Sequence, residues 1–172
     1  MELKTLNKTL RQQAIDNGLC EGWQRMWRCK WDRDELIQKF KEGIDFCIKN
    51  KYPTNEFIKE NFTRDILRKH SILVDDHYSL LNQRMCVLQG GSTSNIRYNG
   101  WNPGTVYIRE NSYASITARQ MSFVIVHLFD NAVVDCRAED KASIVVLRHG
   151  ERTKANTCIG NVKVKDELGY LS

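Results

Sequence analysis

Asn111-Ser-Tyr-Ala-Ser-Ile-Thr-Ala-Arg-Gln120, Met121-Ser-Phe-Val-Ile-Val-His-Leu-Phe-Asp130, Asn131-Ala-Val-Val-Asp-Cys-Arg-Ala-Glu-Asp140 and Lys141-Ala-Ser-Ile-Val-Val-Leu-Arg-His-Gly150 are consecutive tens that fall into step. The second position is Ser112, Ser122, Ala132 and Ala142, and the fourth is Ala114, Val124, Val134 and Ile144. The sixth is Ile116, Val126, Cys136 and Val146. Even positions up to the sixth are thus small or apolar, which is the alternation of a β-strand with one buried face. Turn formers sit at most joints: Asn99-Gly100, Glu110-Asn111, Asp130-Asn131, Asp140-Lys141 and Gly150. The same beat reaches back to Gly91.

A fixed period, with each unit too short to bury its own apolar face, is the signature of a stacked array. The pattern predicts a parallel β-solenoid (β-helix) with ten-residue repeats. An antiparallel meander would also alternate, but it has no reason to keep identical unit lengths or matched residue sizes at equivalent positions. Val162 and Val164 predict a last strand beyond the repeats, Ser71 to Asp76 reads as the strand that enters the solenoid, and Asn82 to Gly90 as an imperfect first coil. Terminal coils of this kind are expected to depart from the consensus, since array ends must be protected.

Upstream the period changes to that of helices. Leu3, Leu6, Leu10 and Ala14 share a stripe that ends at Gly18. Glu21 to Trp31 reads as a second helix with Trp23, Met26, Trp27 and Trp31 on one face, a docking face more than a nucleobase-stacking one. Asp32 with Glu35 makes a capping box for a third helix carrying Leu36, Phe40, Ile44 and Cys47 or Ile48. Thr54 or Asn55 caps a fourth, and Thr63 a fifth over Arg64 to Lys69. The expected fold class is α+β, with residues 1–70 forming short helices packed on a solenoid of residues 71–172 that has terminal capping strands.

Composition excludes little. Lys and Arg number 26 against 21 Asp and Glu in 172 residues, so the chain is mildly basic and no polycation. The first residues lack a signal-peptide pattern and no run approaches a membrane span, so the expectation is a cytoplasmic protein with no membrane partner. The six cysteines show neither C-x-x-C nor a zinc-finger spacing, which predicts no metal and no cofactor, with Cys47 and Cys136 as small buried hydrophobes.

If two tens make one coil, the odd positions sort into two outer faces. One carries Arg97, Tyr113, Arg119, Asp135, Arg137 and Glu139, and we take Arg97, Arg119, Asp135 and Arg137 as candidate binding residues for a partner or an anion. A charged solvent face balanced by its own acids is the plainer alternative. The other carries Phe123, Ile125, Phe129, Val145 and Leu147, too apolar for a solvated sheet, so it requires a cover. Trp23 and Trp27 of the helices, or a second copy in a homodimer, are the covers the sequence offers.

No catalytic constellation assembles. Arg148-His149-Gly150 matches a short signature of histidine phosphatases, yet no further His follows and the string fits the repeat without distortion. Asp75, Asp76 and His77 are adjacent and would alternate faces on a strand, so the sequence identifies no acid/base or metal cluster among them. Asp135 with Arg137 is the nearest imitation of the sugar-cleaving sites of longer parallel β-helices, but about three coils offer a short groove. Gly90-Gly91-Ser-Thr-Ser-Asn95 lacks the Lys of a phosphate loop.

The stretches Leu10-Arg-Gln-Gln-Ala-Ile-Asp-Asn-Gly-Leu-Cys-Glu-Gly-Trp23, Gly43-Ile-Asp-Phe-Cys-Ile-Lys-Asn50, Tyr52-Pro53, Asn55-Glu-Phe-Ile-Lys59 and the Asp130-Asn131 turn carry a resemblance. The chain resembles a family of small phage and mobile-element proteins with N-terminal helices and a C-terminal β-solenoid. That resemblance implies a genomic context in which accessory proteins block host defence machinery, and it brings no catalytic residues. The reading is a non-enzymatic binding protein whose partner is a host or element-encoded protein. Its sharpest form is an anti-CRISPR-like inhibitor of a nucleic-acid-guided defence nuclease. The alternative is a nucleic-acid or nucleotide-binding module that uses the arginine-bearing face.

Overall fold

The computed structural model describes residues 1–167 and Gly169, and the chain divides after His70 into two compact units. The first unit holds six short helices. Helix α1 (Leu3–Asp16) buries Leu6, Leu10 and Ala14 together with Asn7, whose amide donates to the carbonyls of Leu3 and, at 2.7 Å, of Trp31. Helix α2 (Glu21–Met26) stops earlier than its tryptophan spacing suggests, because Trp27 takes an extended backbone (φ −65°, ψ 118°). The four-residue stripe therefore breaks. Trp31 is buried on its own account, with the Trp27 ring tilted against it at 5.1 Å.

Helix α3 (Arg33–Glu42) has the capping box read from the sequence: Asp32 accepts from the Glu35 amide and Glu35 from the Asp32 amide. Such a cap contributes about 1 kcal/mol. The single helix expected to run on through Ile48 is two, broken at Gly43 and resumed as α4 (Ile44–Lys49). Thr54 caps α5 (Asn55–Asn61) and Thr63 caps α6 (Arg64–Lys69) through their hydroxyls. Asp34 of α3 takes hydrogen bonds from Lys69 and His70, which tie α3 to the end of the unit and hold the Asp34 carboxyl below the usual range.

The second unit is a parallel β-solenoid. Its strands are β1 (Ile72–Val74), β2 (Leu80–Leu81), β3 (Met85–Gln89), β4 (Thr93–Tyr98), β5 (Pro103–Ile108), β6 (Tyr113–Ala118), β7 (Phe123–Leu128), β8 (Val133–Ala138), β9 (Ser143–Arg148), β10 (Lys154–Ile159) and β11 (Val162–Asp166). They alternate between a six-stranded sheet, β1-β3-β5-β7-β9-β11, and a five-stranded sheet, β10-β8-β6-β4-β2, and every pairing is parallel. Among the described residues no antiparallel meander forms, and the stack of roughly four turns is longer than the three coils expected. Strands start ten residues apart from Thr93 to Ser143, and the step fails at both ends, so the repeat is not uniformly ten.

Residues twenty apart stack in register, as in Ile96–Ile116–Cys136 and Val106–Val126–Val146, and they line a continuous buried core. The inward set extends one position further than the sequence pattern, since Ile108, Ala118, Leu128 and Ala138 at the eighth position are also buried. Every joint but that at Gly150 places its tenth residue in the left-handed region: Gly90, Gly100, Glu110, Gln120, Asp130, Asp140 and Gly160 have φ between 57° and 81°. At Gly160 nothing larger fits, because a Cβ would sit 1.9 Å from the Ala138 carbonyl oxygen.

One size exchange interrupts the column pattern. Tyr98 is wholly buried, donating its phenol to the Gln83 carbonyl at 2.8 Å, and its ring fills the space where a Cβ at Gly104 would lie, 2.3 Å away. A large residue at one inward position thus requires none at the next strand's start. Gly104→Ala should lower stability by about 1–3 kcal/mol through overpacking, read by urea denaturation. Pairing it with Tyr98→Leu should recover part of the loss, whereas a strain at Gly104 unrelated to the ring would leave the double variant no better.

Candidate functional site

The outer face of the five-stranded sheet carries the arginines singled out in the sequence. Arg97 and Arg137 are exposed in one column, with Thr117 of the intervening strand between them. Two rung steps separate them by roughly 9.6 Å, at about 4.8 Å each. Arg119 lies beyond the end of β6, outside that column, and pairs with Glu139 at 2.7 Å. The three arginines therefore do not form one row. Two point from a flat sheet, and the third is partly neutralised at its corner.

Asp135 sits in the middle of this face but is engaged by the solenoid itself. Its carboxylate accepts the Tyr113 phenol at 2.6 Å and the Thr157 amide at 2.8 Å. Thr157 lies where the pairing of β10 with β8 slips between Ala155 and Cys158, so its amide is diverted from the ladder. Asp135 supplies the acceptor that the irregular strand lacks. The Tyr113 phenol, together with the Thr157 bonds, holds the carboxyl of Asp135 below the usual range; the same contact pushes the Tyr113 phenol up. Burial pushes the neighbouring inward thiol of Cys136 up to about 12.

On the outer face of the six-stranded sheet, Ile125, Val145 and Leu147 are half-buried, Phe129 is buried and Phe123 remains 43% exposed. Trp23 and Trp27 are half-buried within the helical unit. Rings of Tyr107, His127, His149 and Phe129 stack along the solenoid, with centroids 4.8 Å apart for Tyr107–His127 and 4.5 Å for Phe129–His149. His127 Nδ1 lies 2.9 Å from His149 Nε2, and His149 Nδ1 lies 3.1 Å from the Glu167 carbonyl. Arg148 bonds Thr153 and pairs with Asp166 at 3.1 Å, so the Arg-His-Gly string is spent on packing and ion pairing.

The sequence reading missed a third surface, at the corner where the chain passes from the five-stranded to the six-stranded sheet. Trp101 is 80% exposed there, and Met121 occupies the same turn one coil on, its amide bonded to the Gly100 carbonyl. Pro103 and Phe123 follow as register partners, both exposed. The register thus ranks four exposed apolar side chains along two stacked coils as a ridge, with Arg119 and Lys141 in the adjoining turns. Tryptophan in a repeat is ordinarily read as core, and only the turn geometry turns this one outward.

No family model, curated protein or solved structure matches the chain. Among the described residues no group of three His, Cys, Asp or Glu side chains is placed to hold a metal ion, and no helix is long and apolar enough to cross a membrane.

The bonds to Asp135 fix a pH dependence. A carboxyl whose folded value lies below its ordinary 3.8 stabilises the fold above that pH and loses the contribution as pH falls through the folded value. Asp135→Asn should melt below the parent at pH 7, with the gap closing below about pH 4. Hydrogen exchange should show the loss of protection at pH 7 confined to residues 154–166, and uniform loss across the solenoid would contradict this anchoring.

Proposed function

We propose that the protein is a non-enzymatic binding module that engages another protein through the Trp101 corner of its solenoid. The observation that carries the reading is the exposed ridge of Trp101, Met121, Pro103 and Phe123 on a rigid parallel scaffold. Binding energy in protein interfaces concentrates in Trp, Tyr and Arg anchors surrounded by a polar rim. Here the rim is supplied by Arg119 and Lys141, with Arg97 and Arg137 on the adjoining sheet.

Nucleic acid is the second reading. The column of Arg97 and Arg137 favours it, while the Arg119–Glu139 pair and the carboxylate of Asp135 in the same face weigh against a polyanion. The resemblance to mobile-element proteins extends the first reading to a host defence protein as target, with inhibition by occlusion rather than chemistry.

Affinity capture from host lysate, with a nuclease-treated control, tests the choice. A nuclease-resistant protein partner should be retained, and Trp101→Ala should weaken it by at least about 2 kcal/mol, or roughly thirtyfold. Recovery of nucleic acid alone, lost at moderate salt and abolished by joint replacement of Arg97, Arg119 and Arg137 with alanine, would overturn the proposal.

A further inference from the structure

At the opposite end of β4 from Trp101, the five-stranded sheet carries a broad, solvent-open depression of about 820 Å3, a shallow cavity whose walls come from three successive rungs. His77, Tyr78 and Ser79 precede β2, Thr93 and Asn95 lie on β4, and Tyr113 opens β6. Every lining side chain is an imidazole, phenol, hydroxyl or amide, and none carries a fixed charge. The volume lies within the range of small-molecule sites.

The wall is held in place from behind. The His77 amide donates to Asp76 at 2.9 Å, the His77 ring meets the Thr93 hydroxyl, and the Tyr78 amide donates to the Thr93 carbonyl. Ser94 donates to the Tyr78 carbonyl at 2.6 Å, and Tyr113 is fixed by Asp135. Asn95 and Ser79 are exposed, and their side chains present donor and acceptor together. Tyr78, 45% exposed, adds a flat apolar ring at the mouth.

We infer that this cavity binds a neutral, hydroxyl-rich ligand of the saccharide class. Sugar hydroxyls both donate and accept, as the amide, imidazole and hydroxyl groups of the wall do. The C–H face of a pyranose matches the face of Tyr78. A phosphate or carboxylate ligand would need a cation, and Arg97, two residues beyond Asn95, is not in the wall. Because three hydrogen-bonded rungs set the geometry, little ordering is required on binding.

The test is saturation-transfer NMR and calorimetry on the intact chain, using cello-, malto-, manno- and chito-hexaoses with a heparin hexasaccharide as charged control. A neutral hexaose should bind, and Asn95→Ala and Tyr78→Ala should each weaken it about tenfold or more. Circular dichroism of Asn95→Ala should match the parent, and Trp101→Ala, which addresses the separate corner surface, should bind the sugar as before. Absence of any neutral binding at roughly 10 mM, binding indifferent to Asn95→Ala, or retention of heparin alone with loss in Arg97→Ala would each overturn the inference.

Discussion

Each circuit of this chain depends on a residue that can hold a left-handed backbone at the joint. Glycine meets the requirement at Gly90, Gly100 and Gly160, but Glu110, Gln120, Asp130 and Asp140 meet it with a side chain attached, at a cost of roughly 1–2 kcal/mol each. Three of those side chains offset it. The Glu110 carboxylate accepts from the Gly90 amide, Asp130 from the Glu110 amide and Asp140 from the Gln120 amide, each one coil away. A turn that would be strained alone is thereby locked to the turn beneath it, and charge-assisted bonds to amides are among the stronger ones. Stacking is enforced at the corners as well as along the strands.

The ends are handled by different physics. At the last coil the inward side chains lose their cover: Val164, in register with Val146, is 43% exposed, and Cys158, in register with the buried Cys136, is exposed. Such an edge invites another strand. Two features oppose it here. The bulge in β10 spoils the ladder, with Asp135 absorbing the diverted amide, and Lys163 and Lys165 put charge on β11.

Much of the architecture was legible because it rests on periodicity. The inward columns, the two outer faces, the Asp32 capping box and the hydroxyl caps at Thr54 and Thr63 all follow from spacing alone. What was not legible depended on competition that spacing does not encode. The tryptophan stripe of residues 23–31 fails because the helix ends at Met26, and the helix through Leu36 and Ile48 fails because Gly43 interrupts it. The candidate site fared similarly. Asp135 has the position of a binding residue, but its partner Thr157 is misaligned by a slip that no alternation pattern announces. Tyr98 and Gly104 did leave a trace: a large residue in a column that otherwise holds Ala118 and Ala138, and a missing side chain in one that otherwise holds Val124 and Ile144.

Because each coil bonds only to the coils before and after it, the molecule has no fixed dimension along its axis. Twenty residues that honour the inward columns and supply a left-handed joint could be spliced between β8 and β9 and would add one rung on each sheet, roughly 4.8 Å of height. If the new rung beside β10 also repeats the carboxylate of Asp135 that receives the Thr157 amide, neither the irregular last strand nor the first rung needs to change. Duplication or loss of a coil is then a small genetic event with a graded outcome: the distance between surface features at the two ends can be tuned in steps, as on a ruler, while the fold itself is left alone.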